Sequence, residues 1–430
     1  MAQDPILVIG GGISGLTAAI EAAECGCEAV VVEKNAYLGG RVAQLNKYFP
    51  KLCPPLCGLE INYRRIKENP RLTFHTQAEV TNITAAGDGY NVTIQVAPRY
   101  VNDKCVACDA CAQACPAERS DDFNFGMSKS KAAYLPFDQA FPQKYVIDAK
   151  SCKGDCGKKC QEACKYGAID MEMKPETLNL KVSAIVAATG WNPYDIAKAD
   201  NLGFGKVKNV INNMMMERLA AANGPTDGKI LRPSDGKEPK KVAFVQCAGS
   251  RDENHLPYCS YICCLASLKH VAYIKEQYPD AKASIFYIDI RTPGRYEKFY
   301  WKVRDMEGVT LTKGKVAKIS NAPGTDDPVV VIEDVLSGKK VEEQFDMVVL
   351  ASGMEASLRT KPVPISVSYT PEGMIIPSSL PPGIYASGTA ESPVDVAKSM
   401  QDATGIALKS ISKLLASGAG QADQSAGGAN

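Results

Sequence analysis

The sequence predicts an α/β protein made of two strand–helix–strand units and a cysteine-rich insert. The first unit begins at residue 6, the second begins at residue 241, and the insert between them carries two groups of four cysteines. A chain of 430 residues holds two or three domains of ordinary size. The net charge is +1, so nucleic acid and anionic lipid are not expected as main partners.

The first unit has the pattern of a dinucleotide-binding fold. Strand, helix and strand are predicted over residues 6–9, 16–25 and 29–32. Gly10 permits a tight turn, Gly12 lets backbone N–H groups approach a pyrophosphate, and Gly15 lets the helix pack closely on the strand. Glu33 ends the second strand, where its carboxylate accepts hydrogen bonds from a ribose hydroxyl. The alternative is a glycine turn in a fold that binds no nucleotide.

A second glycine turn favours FAD over NAD. Gly39 and Gly40 precede Arg41, whose cation can reach the same pyrophosphate. Together with Glu33, this turn indicates an FAD-binding domain.

The insert opens with the cysteine spacing of bacterial ferredoxins. Its pattern is C-x2-C-x2-C-x3-C-P, formed by Cys105, Cys108, Cys111, Cys115 and Pro116. Loops of two residues let three thiolates bind one [4Fe-4S] cluster, while the fourth cysteine serves a second cluster. A zinc site is the alternative, although such sites usually pair two separated C-x2-C knuckles.

The second group of cysteines in the insert is less regular. It recurs at every fourth position, as Cys152, Cys156, Cys160 and Cys164. Such spacing also places side chains on one helix face, but glycines at positions 154 and 157 weigh against a helix. By the ferredoxin arrangement, one cluster is assigned to Cys105, Cys108, Cys111 and Cys164. The other cluster is assigned to Cys115, Cys152, Cys156 and Cys160.

Two buried strands end in glycine turns. They cover residues 182–188 and 348–351, and they lead into Thr189-Gly190 and Ser352-Gly353. In flavoproteins with two dinucleotide-binding domains, such turns mark where the chain leaves the FAD domain and re-enters it. Ordinary strand ends are the alternative.

A further strand–turn–helix pattern follows near the end of the sequence. Gly388 stands between a short strand and a helix predicted over residues 396–415. The N-terminus of this helix is expected to face the flavin or its ribityl phosphate.

The second strand–helix–strand unit is predicted over residues 241–245, 265–277 and 283–288. Its turn lacks G-x-G-x-x-G and is followed by four cysteines, namely Cys247, Cys259, Cys263 and Cys264. Thiols in this place leave no cradle for a pyrophosphate, so direct use of NAD(P)H is not expected. By spacing alone, the four cysteines are either ligands of a third cluster or small buried apolar side chains.

A proline-rich loop over residues 51–58 carries Cys53 and Cys57. The prolines are expected to keep the loop from being helical, and its thiols can bind a metal, line a flavin pocket or simply be buried. Residues 72–96 alternate in polarity around a turn at 87–89, which predicts a small β-meander.

The apolar runs of the sequence are too short to span a membrane, and no leader sequence is expected. The chain is therefore expected in the cytoplasm, with any membrane contact made through a partner. In that reducing compartment, the 16 cysteines are expected to bind clusters or metals rather than form disulfides.

These patterns divide the chain into segments. The FAD-binding domain takes residues 1–100, 176–238 and 346–416. The ferredoxin-like insert takes residues 101–175, and the second Rossmann-like domain takes residues 239–345. Residues 417–430 lack an apolar pattern and are expected to be a disordered tail.

Four stretches make the chain resemble HdrA, the flavoprotein component of heterodisulfide reductase. They are residues 39–50, the loop around Cys53 and Cys57, residues 245–252 and residues 258–269. The chain looks most similar to a relative, the HdrA-like flavoprotein of the quinone-interacting membrane-bound oxidoreductase (Qmo) of sulfur-metabolising prokaryotes. The resemblance implies a thioredoxin-reductase-like fold with FAD, a ferredoxin insert and a further [4Fe-4S] cluster on Cys247, Cys259, Cys263 and Cys264. It also implies that Lys269 approaches the flavin N5, where it stabilises the charge of reduced flavin.

The resemblance also implies a function and partners. The similar proteins pass electrons between the menaquinone pool and adenylylsulfate (APS) reductase. Their partners are a second flavin and iron–sulfur subunit of the HdrA type and, in the membrane, a haem-bearing subunit that reacts with quinone. This implies a place at the inner face of the cell membrane, in dissimilatory sulfur metabolism. Full-length HdrA is longer and carries further cluster domains. The alternatives are a heterodisulfide-type, electron-bifurcating subunit, an NAD(P)H-dependent flavin reductase and a non-enzymatic scaffold.

Overall fold

The computed structural model describes residues 4–49, 51–152 and 156–426. Its strands are β1 (Ile6–Ile9), β2 (Ala29–Glu33), β3 (Leu72–Thr76), β4 (Ala78–Ala86), β5 (Gly89–Val96), β6 (Glu118–Ser120), β7 (Lys129–Lys131), β8 (Ala133–Tyr134), β9 (Val146–Ile147), β10 (Glu176–Val182), β11 (Ala184–Ala187), β12 (Trp191–Pro193), β13 (Val210–Asn212), β14 (Lys241–Ala248), β15 (Lys282–Tyr287), β16 (Val309–Lys313), β17 (Val316–Asn321), β18 (Pro328–Asp334), β19 (Lys339–Gln344), β20 (Met347–Ser352), β21 (Met354–Ala356) and β22 (Ile384–Ala386). Its α-helices are α1 (Ile13–Glu24), α2 (Leu56–Glu68), α3 (Ala110–Ala114), α4 (Gly157–Ala163), α5 (Asn213–Ala220), α6 (Cys263–Gln277), α7 (Glu297–Arg304) and α8 (Val396–Ala426).

Five parallel strands form the first sheet, in the order β22-β11-β1-β2-β3. Val8 at its centre lies in register with Val31 and Val186, and all three side chains are buried. Helices α1 and α8 pack on one face, and the antiparallel sheet β10-β5-β4 packs on the other. The predicted strand–helix–strand unit is present, with α1 starting at Ile13, three residues before its expected start.

A second parallel sheet has the order β13-β20-β14-β15-β16. Helices α5, α6 and α7 cover one face, and the antiparallel sheet β17-β18-β19 packs on the other. The strands and helix predicted from residue 241 onward are all present, although α6 begins at Cys263 rather than at residue 265.

The sheet pairing differs from two predicted segment boundaries. Strand β13 lies in segment 176–238 and β20 in segment 346–416, yet both belong to the second sheet rather than to the FAD domain. The strand predicted over 182–188 is also divided at Ser183, between β10 in the antiparallel sheet and β11 in the first parallel sheet. An apolar strand has the same local pattern in either sheet, so only its pairing partners reveal where it belongs.

The cysteine-rich insert lies between β5 and β10. Its strands form two short antiparallel pairs, β6 with β7 and β8 with β9, and helix α3 packs against α4. Val101 near its start forms a bridge with Ile169 near its end, so the insert leaves and rejoins the domain at one place. Cysteines occupy much of its small core.

Two loop predictions near the N-terminal domain are wrong in part. Residues 51–58 are not free of helix, because α2 begins at Leu56 with Pro55 as the residue before it. Proline is tolerated there because the first N–H groups of a helix have no partner within it. The predicted meander over 72–96 is also divided: β3 joins the parallel sheet, while β4 and β5 form a hairpin.

The predicted disordered tail differs from the structure, because the backbone of α8 continues to Ala426. Adding residues to a helix that already exists requires no new nucleus. The polar, alanine-containing composition of this segment therefore did not end α8. Residues 427–430, like the glycine at 154, lie outside the described residues.

Across the described ranges, none of the helices combines the length and apolar composition that crossing a bilayer requires.

Candidate functional site

A cavity of about 860 Å³ opens at the carboxyl end of the first sheet. Eight of the side chains or backbone positions predicted to bind a cofactor or act on it line this cavity: Gly10, Gly12, Glu33, Gly40, Arg41, Thr189, Gly190 and Lys269. The topological switch of an open α/β sheet is where dinucleotides bind, and this volume lies in the range of ligand pockets.

The glycines of the first turn have two different roles. A Cβ on Gly10, whose φ is +113°, would lie 2.2 Å from the Ala188 carbonyl oxygen, and one on Gly15 would lie 1.9 Å from the Gly10 oxygen. Both positions therefore require glycine for the packing of the protein itself. Gly12 is different, because its nearest neighbour would be the Gly40 Cα at 3.9 Å and its space belongs to the cavity.

Replacing Gly12 with alanine is therefore expected to weaken FAD binding by about 10- to 100-fold without lowering the stability of the cofactor-free chain. The added methyl group meets the ligand rather than the protein. Flavin affinity by fluorescence titration and unfolding by urea measure the two effects. Gly405→Ala, in open space on α8, is the control and should leave FAD affinity unchanged. Equal FAD affinity in Gly12→Ala and the natural chain would contradict a pyrophosphate at this turn.

Four of the predicted cofactor residues do not line the cavity: Gly15, Gly39, Gly353 and Gly388. Gly39 and Gly388 have positive φ and support the turns beside it. Gly353 is a correction, because a Cβ there would lie 2.2 Å from Ser250 Oγ, in the second domain. It follows β20, whose place in the second sheet was not visible from the strand pattern.

Both oxygens of Glu33 are hydrogen-bonded to backbone or side-chain nitrogens near the cavity. Oε2 accepts from the Gly11 N–H at 2.7 Å, and Oε1 accepts from the backbone N–H and the side-chain amide of Asn35 at 2.8 and 2.7 Å. Burial raises the pKa of this carboxyl group, and these donors oppose the rise. Glu33 thus braces the glycine turn as well as facing the place predicted for a ribose.

Arg41 lines the cavity but its guanidinium is bound to the protein. It donates to the Trp191 carbonyl at 3.2 Å, to Gln44 Oε1 at 2.9 Å and to Asn192 Oδ1 at 2.6 Å. All three acceptors are neutral, so these contacts leave the positive charge of the guanidinium at the cavity wall. Within the described residues, two buried oxygens of the same wall, Thr189 Oγ1 and Gln77 Oε1, have no hydrogen-bond partner. A cradle of backbone N–H groups, a cation and orphaned polar atoms fit a bound FAD.

The insert also contributes to the cavity, which sequence patterns did not indicate. Arg119, Phe123, Phe125 and Tyr134 line it. The Phe123 ring lies 5.6 Å from Tyr37, and the guanidinium of buried Arg218 stands 4.6 Å from its centre. Arg218 on α5 also donates to Asn124 Oδ1 at 2.8 Å, so the second domain and the insert meet beside the FAD domain. Aromatic residues in a loop carry no motif that marks this role.

Lys269 belongs to a buried polar group that lines the same cavity. Its Nζ lies 2.8 Å from Glu217 Oε1 and donates to the Lys47 carbonyl at 2.5 Å. The same Glu217 oxygen lies 2.5 Å from His270 Nε2, while Glu217 Oε2 accepts from the Asn46 N–H at 2.9 Å. Glu217, on α5, was not predicted, because a single acid carries no motif until the fold places it beside Lys269.

Charges in this group follow from burial and pairing. Burial works to raise the pKa of Glu217, but the Lys269 ammonium group and the hydrogen bond with His270 oppose it, and that pKa falls from its ordinary 4.5 to about 2. Burial lowers the pKa of His270 more than Glu217 raises it, so the imidazole is neutral and its contact with Glu217 is a hydrogen bond rather than an ion pair. The ion pair at the cavity is therefore Lys269 with Glu217.

The depressed pKa of Glu217 predicts acid sensitivity. Its stabilising contribution, about 3 kcal/mol, is fully present above about pH 4.5 and is lost as pH falls toward about 2. The depressed pKa of His270 acts in the same direction, from about pH 6.5 downward. Urea unfolding midpoints between pH 7 and pH 3 measure the loss, and Glu217→Gln should flatten the curve below pH 4.5. An unchanged slope in that variant would contradict this assignment.

The structure brings together the first predicted cluster set. Cys105, Cys108, Cys111 and Cys164 line one small cavity in the insert, with Val106 and Tyr166 at its edge. The Cys164 sulfur accepts from the Ala168 N–H at 3.3 Å. Cys164 thus joins three cysteines more than 50 residues away in the sequence, as the ferredoxin arrangement predicts.

The other set in the insert is also gathered at one place. The sulfurs of Cys152 and Cys156 lie 3.8 Å apart, and Cys160 and Cys115 are close enough to add to the rise in the pKa of Cys152. Only Cys160 lies within α4, so the cysteines do not form a single helical stripe. The alternative of four cysteines along one helix face is therefore wrong.

The third set surrounds the turn after β14. Cys247 is the second-last residue of β14 and has a φ of +54°. Cys263 and Cys264 begin α6, and Cys259 lies in the loop between this strand and the helix. The other three thiols lie close enough to Cys263 to add to the rise that burial causes in its pKa.

These thiols have pKa values that disfavour bare thiolates. Burial, with neighbouring thiols adding to it, raises the pKa of Cys111 to about 12, those of Cys152 and Cys264 to about 11, and that of Cys263 well above its usual range. A metal core supplies the positive charge that lets such thiols bind as thiolates. In the described part of the chain, no three ligand side chains converge as for a single metal ion. The four thiolates of a [4Fe-4S] cluster each bind a different iron atom, so they are spaced more widely than the ligands of a single metal ion.

Cys53 and Cys57 do not line the cavity. Cys57 is exposed, Cys53 is half-buried, and both lie near the hydroxyl group of Tyr48, which does line it. Of the three roles left open for these thiols, their position gives no support to lining the flavin pocket.

Known proteins are similar to this chain in sequence. The family model described as FAD dependent oxidoreductase matches residues 5–80. The HdrA component of the ferredoxin/F420H2-dependent CoB-CoM heterodisulfide reductase of Methanosarcina acetivorans is 37% identical over 97% of this chain, and an iron–sulfur HdrA of Methanopyrus kandleri is 38% identical over 96%. The chain is homologous to HdrA of heterodisulfide reductase. It spans 54% and 65% of the length of these two relatives.

Solved structures identify the fold. Thioredoxin reductase of T. acidophilum superposes with a TM-score of 0.53 at 13% identity, covering 96% of this chain and all of that one. Thioredoxin reductase of Lactococcus lactis gives 0.53 at 12% identity, covering 96% and 99%. The predicted thioredoxin-reductase-like arrangement of two Rossmann-like domains is confirmed.

Proposed function

We propose that the chain is a flavin and iron–sulfur electron-transfer subunit of the HdrA type. FAD exchanges two electrons and each [4Fe-4S] cluster carries one, so together they can divide an electron pair. The homology over nearly the whole chain supports this proposal.

Helix α6 connects the third thiol set with the large cavity. Cys263 and Cys264 open α6, and Lys269 on the same helix lines the large cavity. Five residues of α-helix span about 8 Å, so Cys264 stands within that axial distance of Lys269 in the cavity wall. A flavin bound in the cavity and a cluster on these thiols are then close neighbours.

The residues of the chain hold and orient the proposed flavin. Backbone N–H groups at Gly12 would hold the pyrophosphate, Glu33 would face a ribose, and Arg41 would add a positive charge from the same cavity wall. Lys269, fixed by Glu217, would supply a cation to a bound flavin, which gains negative charge on reduction.

Direct reduction by NAD(P)H is a weaker proposal. The turn after β14, where a second nucleotide binds in two-domain flavoproteins, is filled by protein: a Cβ on Gly249 would lie 2.5 Å from the Tyr194 ring. Cys247 and Arg251 take the adjoining positions.

The proposed function also implies partner subunits. Each of the relatives is one component of a multi-subunit heterodisulfide reductase, which supports assembly of this chain with further subunits of such a complex. Three finer proposals rest on the sequence resemblance alone. They are transfer between menaquinone and APS reductase, a haem-bearing partner in the membrane, and a position at the inner membrane face.

Anaerobic purification tests the proposal. The chain should bind about one FAD and show the broad visible absorption of iron–sulfur clusters; dithionite should bleach both chromophores, and NADH should bleach neither rapidly. Rapid bleaching by NADH would favour the flavin reductase alternative. A colourless protein would overturn the proposal and favour a scaffold.

A further inference from the structure

Three charged side chains stand beside the thiol set of Cys247, Cys259, Cys263 and Cys264. Arg251 faces the Cys247 sulfur, and Arg291 faces the Cys259 sulfur. Asp289 lies between the arginines, 2.5 Å from Arg251 Nη1 and 3.4 Å from Arg291 Nη2. We call Arg251, Asp289 and Arg291 the charged triad.

The triad also reaches the thiols through its backbone. The main-chain carbonyl of Asp289 accepts a hydrogen bond from the Cys264 thiol at 3.8 Å. Three of the four thiols are thus contacted by the triad. The fourth, Cys263, is buried against Ser352, whose carbonyl lies 3.8 Å from its sulfur.

The position of Asp289 in the fold is informative. It follows β15, the second strand of the second dinucleotide-type unit, as Glu33 ends the second strand of the first unit. An acid at this place normally accepts hydrogen bonds from a ribose. Here Asp289 pairs with Arg251 and Arg291, which face thiols. The place where a ribose binds in other units of this type is therefore occupied by charged side chains beside the thiol set.

We propose that Arg251 and Arg291 are positioning residues that raise the reduction potential of the cluster on this thiol set, and that Asp289 limits the rise. This inference rests on the cluster assignment in the proposed function. A [4Fe-4S] core with four thiolates is negatively charged, and uptake of one electron adds one negative charge without forming or breaking a bond. Nearby positive charge therefore favours the reduced state, and nearby negative charge opposes it.

Exposure predicts which arginine acts more strongly. The Arg251 side chain is 26% exposed and that of Arg291 is 50% exposed, so solvent and salt screen Arg291 more. The shift caused by removing Arg251 is therefore expected to be the larger.

A redox titration of the anaerobically purified chain, followed by electron paramagnetic resonance with dithionite as reductant, tests the inference. The signal of this cluster is the one lost in Cys259→Ser. Arg251→Gln and Arg291→Gln should lower its midpoint potential, Asp289→Asn should raise it, and Arg291→Lys should keep it near that of the natural chain. Arg295→Gln, an exposed arginine four residues beyond Arg291, is the matched control and should cause no shift.

The arginine variants and Asp289→Asn are expected to shift the midpoint potential in opposite directions, which distinguishes an effect of charge from damage to the fold. Midpoints in Arg251→Gln and Arg291→Gln equal to that of Arg295→Gln would overturn the inference, as would a downward shift in Asp289→Asn. If Arg251→Gln does not incorporate this cluster, the midpoint potentials of Arg291→Gln and Asp289→Asn still test the inference. If Cys259→Ser loses neither iron nor a signal, the cluster assignment itself fails.

Discussion

Glu217→Ala is expected to lower the free energy of unfolding by about 3–5 kcal/mol. The carboxylate is buried and pairs with Lys269 at 2.8 Å, while His270 and the Asn46 N–H also contact it. Removing it leaves the Lys269 ammonium group buried, with the neutral Lys47 carbonyl as its hydrogen-bond acceptor. An uncompensated buried charge costs far more than a lost surface pair.

Urea unfolding measures this effect, with Glu276→Ala as the matched control. Glu276 also pairs with a lysine, Lys47, at 2.9 Å, but it is 66% exposed, so its loss should cost less than about 1 kcal/mol. The double variant Glu217→Gln with Lys269→Met should recover part of the loss, because it removes both charges. A Glu217→Ala variant as stable as Glu276→Ala would show that the pair is not desolvated as the structure places it.

Cys108→Ser and Cys164→Ser are each expected to remove about four iron atoms per chain and to abolish the same paramagnetic signal. The two residues are 56 positions apart in the sequence but line one cavity with Cys105 and Cys111. Loss of one thiolate ligand leaves one iron of the cubane open to solvent. Iron analysis and low-temperature spectra of the reduced protein measure both changes.

Cys25→Ser is the control for this pair of variants. Cys25 is exposed and stands outside the three thiol sets, so its replacement should leave the iron content unchanged. If Cys164→Ser abolishes a different signal from Cys108→Ser, the exchange of the fourth ligand between the two groups is refuted. Unchanged iron in both variants would refute the cluster altogether.

Local patterns were informative wherever a short stretch has to satisfy its own geometry. Gly10 and Gly15 are required because a Cβ at either place meets backbone oxygen, and that requirement is written in the spacing of the turn. The ferredoxin spacing likewise assigned Cys164 to the first set. The same approach was wrong for residues 51–58, because proline disrupts the interior of a helix but is tolerated at its start, where α2 follows Pro55.

Long-range neighbours were outside the reach of such patterns. Glu217 became part of the site only when α5 packed beside α6, and Phe123 and Arg119 did so only when the insert folded over the FAD domain. The place of β20 in the second sheet, and hence of Gly353 outside the cavity, depended on strand pairing.

By itself the sequence determined the glycine cradle, the acid after the second strand, the thiol sets and the two-domain flavoprotein architecture. These depend on neighbouring residues and on ligand chemistry that demands particular side chains at particular spacings. The tertiary structure alone decided which sheet each strand joined, which charge neutralises Lys269, and that Arg251, Asp289 and Arg291 stand beside thiols. Charges act through space, and their partners in this protein come from segments far apart along the chain.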